Sequence, residues 1–234
     1  MKTIGLLGGM SWNSSAEYYR MMNELVQQRL GGQNSAKCIL YSVNFAEIEQ
    51  CQQEGRWQDA GKILVNAALS LENAGADALV LCTNTMHRLA EEITSSIHIP
   101  FLHIAQAAVE EIQHKKLRRV GLLGTRFTME QEFYRGVLEK NGLEVIIPDE
   151  KNREIVHRVI YEELCKGNIQ SISRDQFIHI MNLMVVAGAE GIILGCTEIS
   201  LLVKPEDASV PLFDTTFLHA KKAVDFALQT ENRY

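Results

Sequence analysis

Proline is scarce in this chain, with four in 234 residues, and aromatic side chains make up only 7%. With sixteen glycines and no biased tract, that excludes collagenous, proline-rich and low-complexity classes. No apolar run approaches the ~18 residues that a membrane helix needs. The opening stretch, residues 1–10, is briefly apolar but broken by glycines, and no small-residue cleavage site follows. It reads as a buried strand entering a glycine loop rather than a signal sequence. Cysteines are few and odd in number (Cys38, Cys51, Cys82, Cys165, Cys196), with no C-x-x-C pair. A disulfide framework and a zinc site are thereby disfavoured, and a reducing cytoplasm is the expected setting. Basic side chains are outnumbered 23 to 29, for a net charge of −6, which argues against nucleic acid or an anionic membrane as the main partner.

What is present is ordinary in bulk and informative in order. An apolar fraction of 46% and a charged fraction of 22% suit a globular chain that buries a sizeable core. The order is an internal repeat. Thr3-Ile4-Gly5-Leu6-Leu7-Gly8-Gly9 returns as Arg119-Val120-Gly121-Leu122-Leu123-Gly124-Thr125. Ala76-Asp77-Ala78-Leu79-Val80-Leu81-Cys82-Thr83-Asn84 returns as Ala189-Glu190-Gly191-Ile192-Ile193-Leu194-Gly195-Cys196-Thr197. Ile99-Pro100-Phe101-Leu102-His103-Ile104 returns as Val210-Pro211-Leu212-Phe213-Asp214-Thr215. Three matches in one order point to two similar lobes, too few copies for a solenoid.

Each copy reads as α/β. Short apolar runs bounded by glycine or polar loops are the pattern of buried parallel strands. Helical spacing appears over residues 15–30, 57–74, 129–141, 174–187 and 217–228, and Gly75, Gly142 and Gly188 stand where helices should stop. Alternating strands and helices predict a parallel sheet flanked by helices in each lobe. The expected division is residues 1–112, residues 113–209, and a strand and helix at 210–234 returning to the first lobe. The basic run His114 to Arg119 reads as a solvated helix end, the methionine pairs Met21/Met22 and Met181/Met184 as core, and residues 230–234 as a fraying tail.

Four loops fall at strand ends, where such sheets bind ligands: Gly8-Gly9-Met10-Ser11, Cys82-Thr83-Asn84-Thr85, Gly124-Thr125 and Gly195-Cys196-Thr197-Glu198. Backbone N–H groups and hydroxyls there suit a carboxylate or phosphate. The spacing G-x-x-G-G is neither G-x-G-x-x-G nor a Walker A loop, so a nucleotide site is not indicated. Cys196, ahead of a helix start, is expected to have a lowered pKa and to serve as nucleophile or base. Its counterpart in the repeat is Thr83. Under a pseudo-twofold the two would face one another, and a carbon acid between them could lose a proton on one side and regain one on the other. His87 reads as a first-turn helix residue, and no histidines show metal-ligand spacing.

With these residues in place, the chain resembles the aspartate/glutamate racemase family from about residue 3 to residue 228. Residues 4–12 resemble its opening motif. Cys82-Thr83-Asn84-Thr85-Met86-His87 and Gly195-Cys196-Thr197-Glu198 resemble its two active-site motifs. The resemblance implies two pseudo-symmetric Rossmann-like lobes with the active site in the cleft between them, no cofactor such as pyridoxal phosphate, a homodimer, and one thiol per lobe as acid–base groups. Cys196 matches the second thiol. Thr83 stands where the first would fall, and Cys82, one place earlier, should face away through strand alternation. Met10, Ser11, Asn84, Thr85, Thr125, Thr197 and Glu198 match loops that would hold the α-carboxylate and ammonium. Gln52 and Lys166 lie where side-chain contacts would fall, and no arginine but Arg56 lies near Gln52, so strict aspartate specificity is not implied.

The expected function is interconversion of L- and D-aspartate or glutamate between Thr83 and Cys196. A threonine lacks the tuning range of a thiol, whose ordinary pKa is about 8.5, so one enantiomer should exchange faster. Two other readings remain open: a one-cysteine decarboxylase or isomerase of small dicarboxylates, and a non-catalytic binding protein for a small acid.

Overall fold

The structure is a computed structural model describing residues 1–229; the expected fraying of 230–234 lies outside the described residues. The chain alternates strands and helices throughout. In order these are β1 (Ile4–Gly8), α1 (Trp12–Leu30), β2 (Cys38–Ser42), α2 (Phe45–Gln53), α3 (Trp57–Asn73), β3 (Ala78–Leu81), α4 (Ala90–Thr94) and β4 (Phe101–Leu102). There follow α5 (Ile104–His114), β5 (Arg119–Gly124), α6 (Arg126–Glu130), α7 (Glu132–Lys140), β6 (Glu144–Ile146) and α8 (Glu150–Glu162). The series closes with α9 (Ser171–Val186), β7 (Gly191–Gly195), α10 (Ile199–Leu202), β8 (Leu212–Asp214) and α11 (Thr215–Leu228). Short 3₁₀ turns occupy Thr85–Leu89, Leu164–Lys166 and Pro205–Asp207.

Two compact units result, one of residues 1–103 and 219–229, the other Ile104–Leu218. Each holds a four-stranded, wholly parallel sheet, ordered β2-β1-β3-β4 in the first and β6-β5-β7-β8 in the second. The repeat in the sequence is therefore a repeat of topology. Register makes it exact at the residue level. Leu7 pairs with Leu81, and its repeat-mate Leu123 pairs with Leu194. Thr83 and Cys196 thus each stand two residues beyond the equivalent pair.

Period-2 alternation sends each strand's side chains to opposite faces, and both faces are covered by helices. In the first sheet Leu7, Leu79 and Leu81 pack with buried residues of α2 and α3. Ile4, Leu6, Ala78, Val80 and Cys82 pack with α1 and with the part of α11 from Ala220 onward. In the second sheet Leu123, Ile192 and Leu194 face α8 and α9, while Val120, Leu122 and Ile193 face α5 and α7. Met22, Met181 and Met184 are core residues, as their helical spacing indicated.

Helix stops follow the glycines. Gly75 and Gly188, just past α3 and α9, have φ of +92° and +102°, where a side chain would be strained. One helical stretch differs from its expectation. Residues 129–141 do not form one helix, because Gln131 is extended (φ −96°, ψ 152°) and separates α6 from α7. Helices α2 and α8 lie outside the stretches where helical spacing was expected.

Candidate active site

Strand pairing brings the candidate loops together within each unit. In the first, β1 and β3 lie side by side, so the Met10–Ser11 loop and the Thr83–Thr85 loop leave adjacent strand ends. Gly9 has φ +98°, and a Cβ there would strike the Val43 carbonyl, which only glycine avoids. Its N–H donates to Ser15 Oγ at 2.8 Å, and Ser15 Oγ donates to the Ser11 carbonyl at 3.0 Å. Ser11 caps α1, its Oγ accepting from the Ser14 N–H at 3.2 Å. Ser14 Oγ reaches across to the Cys82 carbonyl at 3.0 Å, tying the two loops to each other. Gln52, buried on α2, donates to Met86 Sδ at 2.9 Å and so joins the turn that begins at Thr85.

In the second unit β5 and β7 pair through Gly124 and Gly195, which places Thr125 beside Cys196 in register. Thr125 caps α6 as Ser11 caps α1, its Oγ1 accepting from the Thr128 N–H at 3.3 Å. The Cys196 thiol donates to Glu198 Oε2 at 3.0 Å. Glu198 is 5% exposed, and its carboxylate does not cap α10. Lys166 is exposed, at the end of the 3₁₀ turn that carries Cys165.

At each strand end one side chain stands out. Thr83 is partly exposed between buried Cys82 and Asn84. Cys196 is partly exposed between buried Gly195 and Thr197. Cys82 lies in the core beneath, where burial pushes its thiol far above the ordinary range. The expected lowering of the Cys196 pKa is not found. Burial raises it well above the ordinary value, and the Glu198 carboxylate and nearby Cys165 raise it further. A helix of four residues contributes little dipole against a carboxylate in hydrogen-bond contact. Cys196 is thus a thiol with a proton acceptor attached.

The family model described as Asp/Glu/hydantoin racemase matches residues 7–223. The chain belongs to that family. Among curated proteins it is 26% identical, over 94% of this chain and 96% of the other, to the broad specificity amino-acid racemase RacX of Bacillus subtilis. Among solved structures it resembles a Yersinia pestis protein named a "putative Asp/Glu racemase" (56% identity, TM-score 0.92, covering 98% of this chain and all of that one). A second is an aspartate racemase homologue from Pyrococcus horikoshii (36%, TM-score 0.86, 98% and 100%). Family membership makes the protein an isomerase of the racemase class, acting through an α/β fold of two parallel sheets. For a racemase, the serines behind the first loop were the residues that sequence reading missed. Ser14 and Ser15 sit on a helix, and their hydroxyls gain meaning only once β1 and β3 are paired.

Proposed function

We propose that this racemase interconverts the enantiomers of aspartate or glutamate without a cofactor, with Cys196 and Thr83 addressing opposite faces of Cα. The observation that carries the reading is the register. Within their own sheets Thr83 and Cys196 occupy the same place, and each is the partly exposed polar side chain of its loop. Family membership supplies the reaction class. Met10, Ser11, Asn84, Thr85, Thr125 and Thr197 surround the two positions along the chain and would hold the amino acid's carboxylate and ammonium. Gln52 and Lys166 would select the side chain.

In this reading Cys196 passes its proton to Glu198 Oε2 as it becomes the thiolate base. The thiolate then takes the proton from Cα, and the carbanion is stabilised by N–H dipoles of the loops. Glu198, expected from sequence to meet the ammonium, here serves the thiol first. Among the described residues Thr83 has no such acceptor in hydrogen-bond contact, and its hydroxyl returns a proton through a relay. The asymmetry makes one enantiomer the faster substrate.

Proton NMR in D₂O with each enantiomer of aspartate and glutamate, alongside chirality measurement, tests this. Loss of the Cα–H signal with inversion, abolished in Cys196→Ala, is the expected result. No exchange with any of the four amino acids would overturn the substrate assignment.

A further inference from the structure

Behind Thr83 lies a cluster of rings that the proposed reaction does not use. His87, in the 3₁₀ turn after Thr83, is 2% exposed and its Nδ1 lies 2.8 Å from the Thr83 carbonyl. Its ring contacts His103, Phe101 and His219, with centroids at 4.6, 5.4 and 5.8 Å. His219 in turn lies 2.5 Å from the Leu102 carbonyl through Nε2 and 2.8 Å from the Tyr18 hydroxyl through Nδ1.

These contacts determine where the ring protons are. A carbonyl only accepts, so His87 must carry its hydrogen on Nδ1 and His219 on Nε2. His219 Nδ1 then accepts from the Tyr18 hydroxyl. The titratable and charged groups around His87 are His103, His219, Tyr18 and, further along α11, Lys222. Burial, with His103 and His219 nearby, holds His87 neutral, its pKa well below the ordinary value.

The repeat adds an independent observation. The position equivalent to His87 is Ser200, whose Oγ donates at 2.9 Å to the carbonyl of Thr197, the counterpart of Asn84 and one residue past that of Thr83. Both units therefore turn a side chain of the following helical turn back onto a carbonyl of the reactive loop.

We propose that His87 is a positioning residue for Thr83: its Nδ1–H, donated to the Thr83 carbonyl, fixes the backbone from which the Thr83 hydroxyl projects. The claim rests on the racemase reading of Thr83. A proton-transfer group must be held to within a fraction of an ångström. Thr83 lies in the loop two residues past β3 and two before the 3₁₀ turn, and the hold on it comes from a ring packed against three others.

Two measurements test it together. Long-range ¹H–¹⁵N spectra of the histidine rings should show the neutral Nδ1–H form at His87 and the neutral Nε2–H form at His219 from pH 8 to pH 5. An Nε2–H form at His87 overturns the proposal. Steady-state kinetics on the substrate found by exchange should separate two near-isosteric variants. His87→Asn places an amide N–H where Nδ1 was and should keep kcat within about threefold. His87→Gln places it where Nε2 was and should lower kcat about 10- to 100-fold with KM little changed. Equal kcat in both variants, whether high or low at matched Tm, overturns the positioning role. A wild-type enzyme with no Cα exchange instead brings down the racemase reading, and the role of His87 with it, whatever the ring spectra show.

Discussion

At the scale of single residues, the proposed chemistry rests on the Cys196–Glu198 contact. A carboxylate beside a thiol does two opposed things: it disfavours the thiolate and it accepts the thiol's proton. Glu198→Gln separates them. Without the negative charge the Cys196 thiol becomes more acidic, so alkylation by iodoacetamide at pH 8 should quicken. Without the acceptor, Cα exchange should fall about 100-fold. A variant that keeps full exchange would remove Glu198 from the mechanism. Cys82 gives the complementary prediction. Its thiol is wholly buried among Ile4, Leu6 and Val80, so mass spectrometry after native labelling should find Cys196 modified and Cys82 untouched. Cys82→Ala should leave exchange within a few-fold of wild type.

Among elements, the β1–α1 loop is the most constrained. Gly9→Ala would put a methyl group on the Val43 carbonyl at a positive φ, and the cost should exceed the ~1 kcal/mol of an ordinary glycine substitution. Exchange should be lost with it, because Met10 and Ser11 hang from that turn. Helix α7 offers the opposite case. The Tyr134 hydroxyl is fully buried and has no hydrogen-bond partner among the described residues. An unpaired buried hydroxyl costs about 1–3 kcal/mol. Tyr134→Phe should therefore match or raise the wild-type Tm, and a clear fall in Tm would show that the hydroxyl is paired in solution.

For the whole molecule, three histidines of the first unit contribute to acid sensitivity. Burial lowers His103 to about 4 and His219 to about 3, and His87 is also lowered. Unfolded histidine titrates near pH 6.5. Between these values the unfolded chain binds more protons than the folded one, so stability rises with pH across the window. It is complete above about pH 6.5 and is lost as the pH falls toward 4 and then 3. Each such histidine contributes a slope of up to about 1.4 kcal/mol per pH unit. The Tm should drop between pH 7 and pH 5, with hydrogen exchange rising first in peptides of residues 1–103, and His219→Gln should flatten the drop. Native mass spectrometry would read the homodimer that the family resemblance implies.

Much of this protein was legible without coordinates, and the limits of legibility are physical. Strand periodicity, helix-stopping glycines and the three repeated segments depend on neighbours along the chain, so the α/β class, the strand-end loops and the positional equivalence of Thr83 with Cys196 followed from the sequence. So did the inward turn of Cys82, since alternation is a local rule. Tertiary structure decided most of the acidity of Cys196, because burial is the largest cause of its raised pKa, ahead of the neighbouring Glu198 carboxylate. It alone joined Ser14 to Cys82, and His219 to Tyr18 and Leu102. Those pairings form only after the first sheet has closed, between residues whose separation in sequence carries no periodic signal.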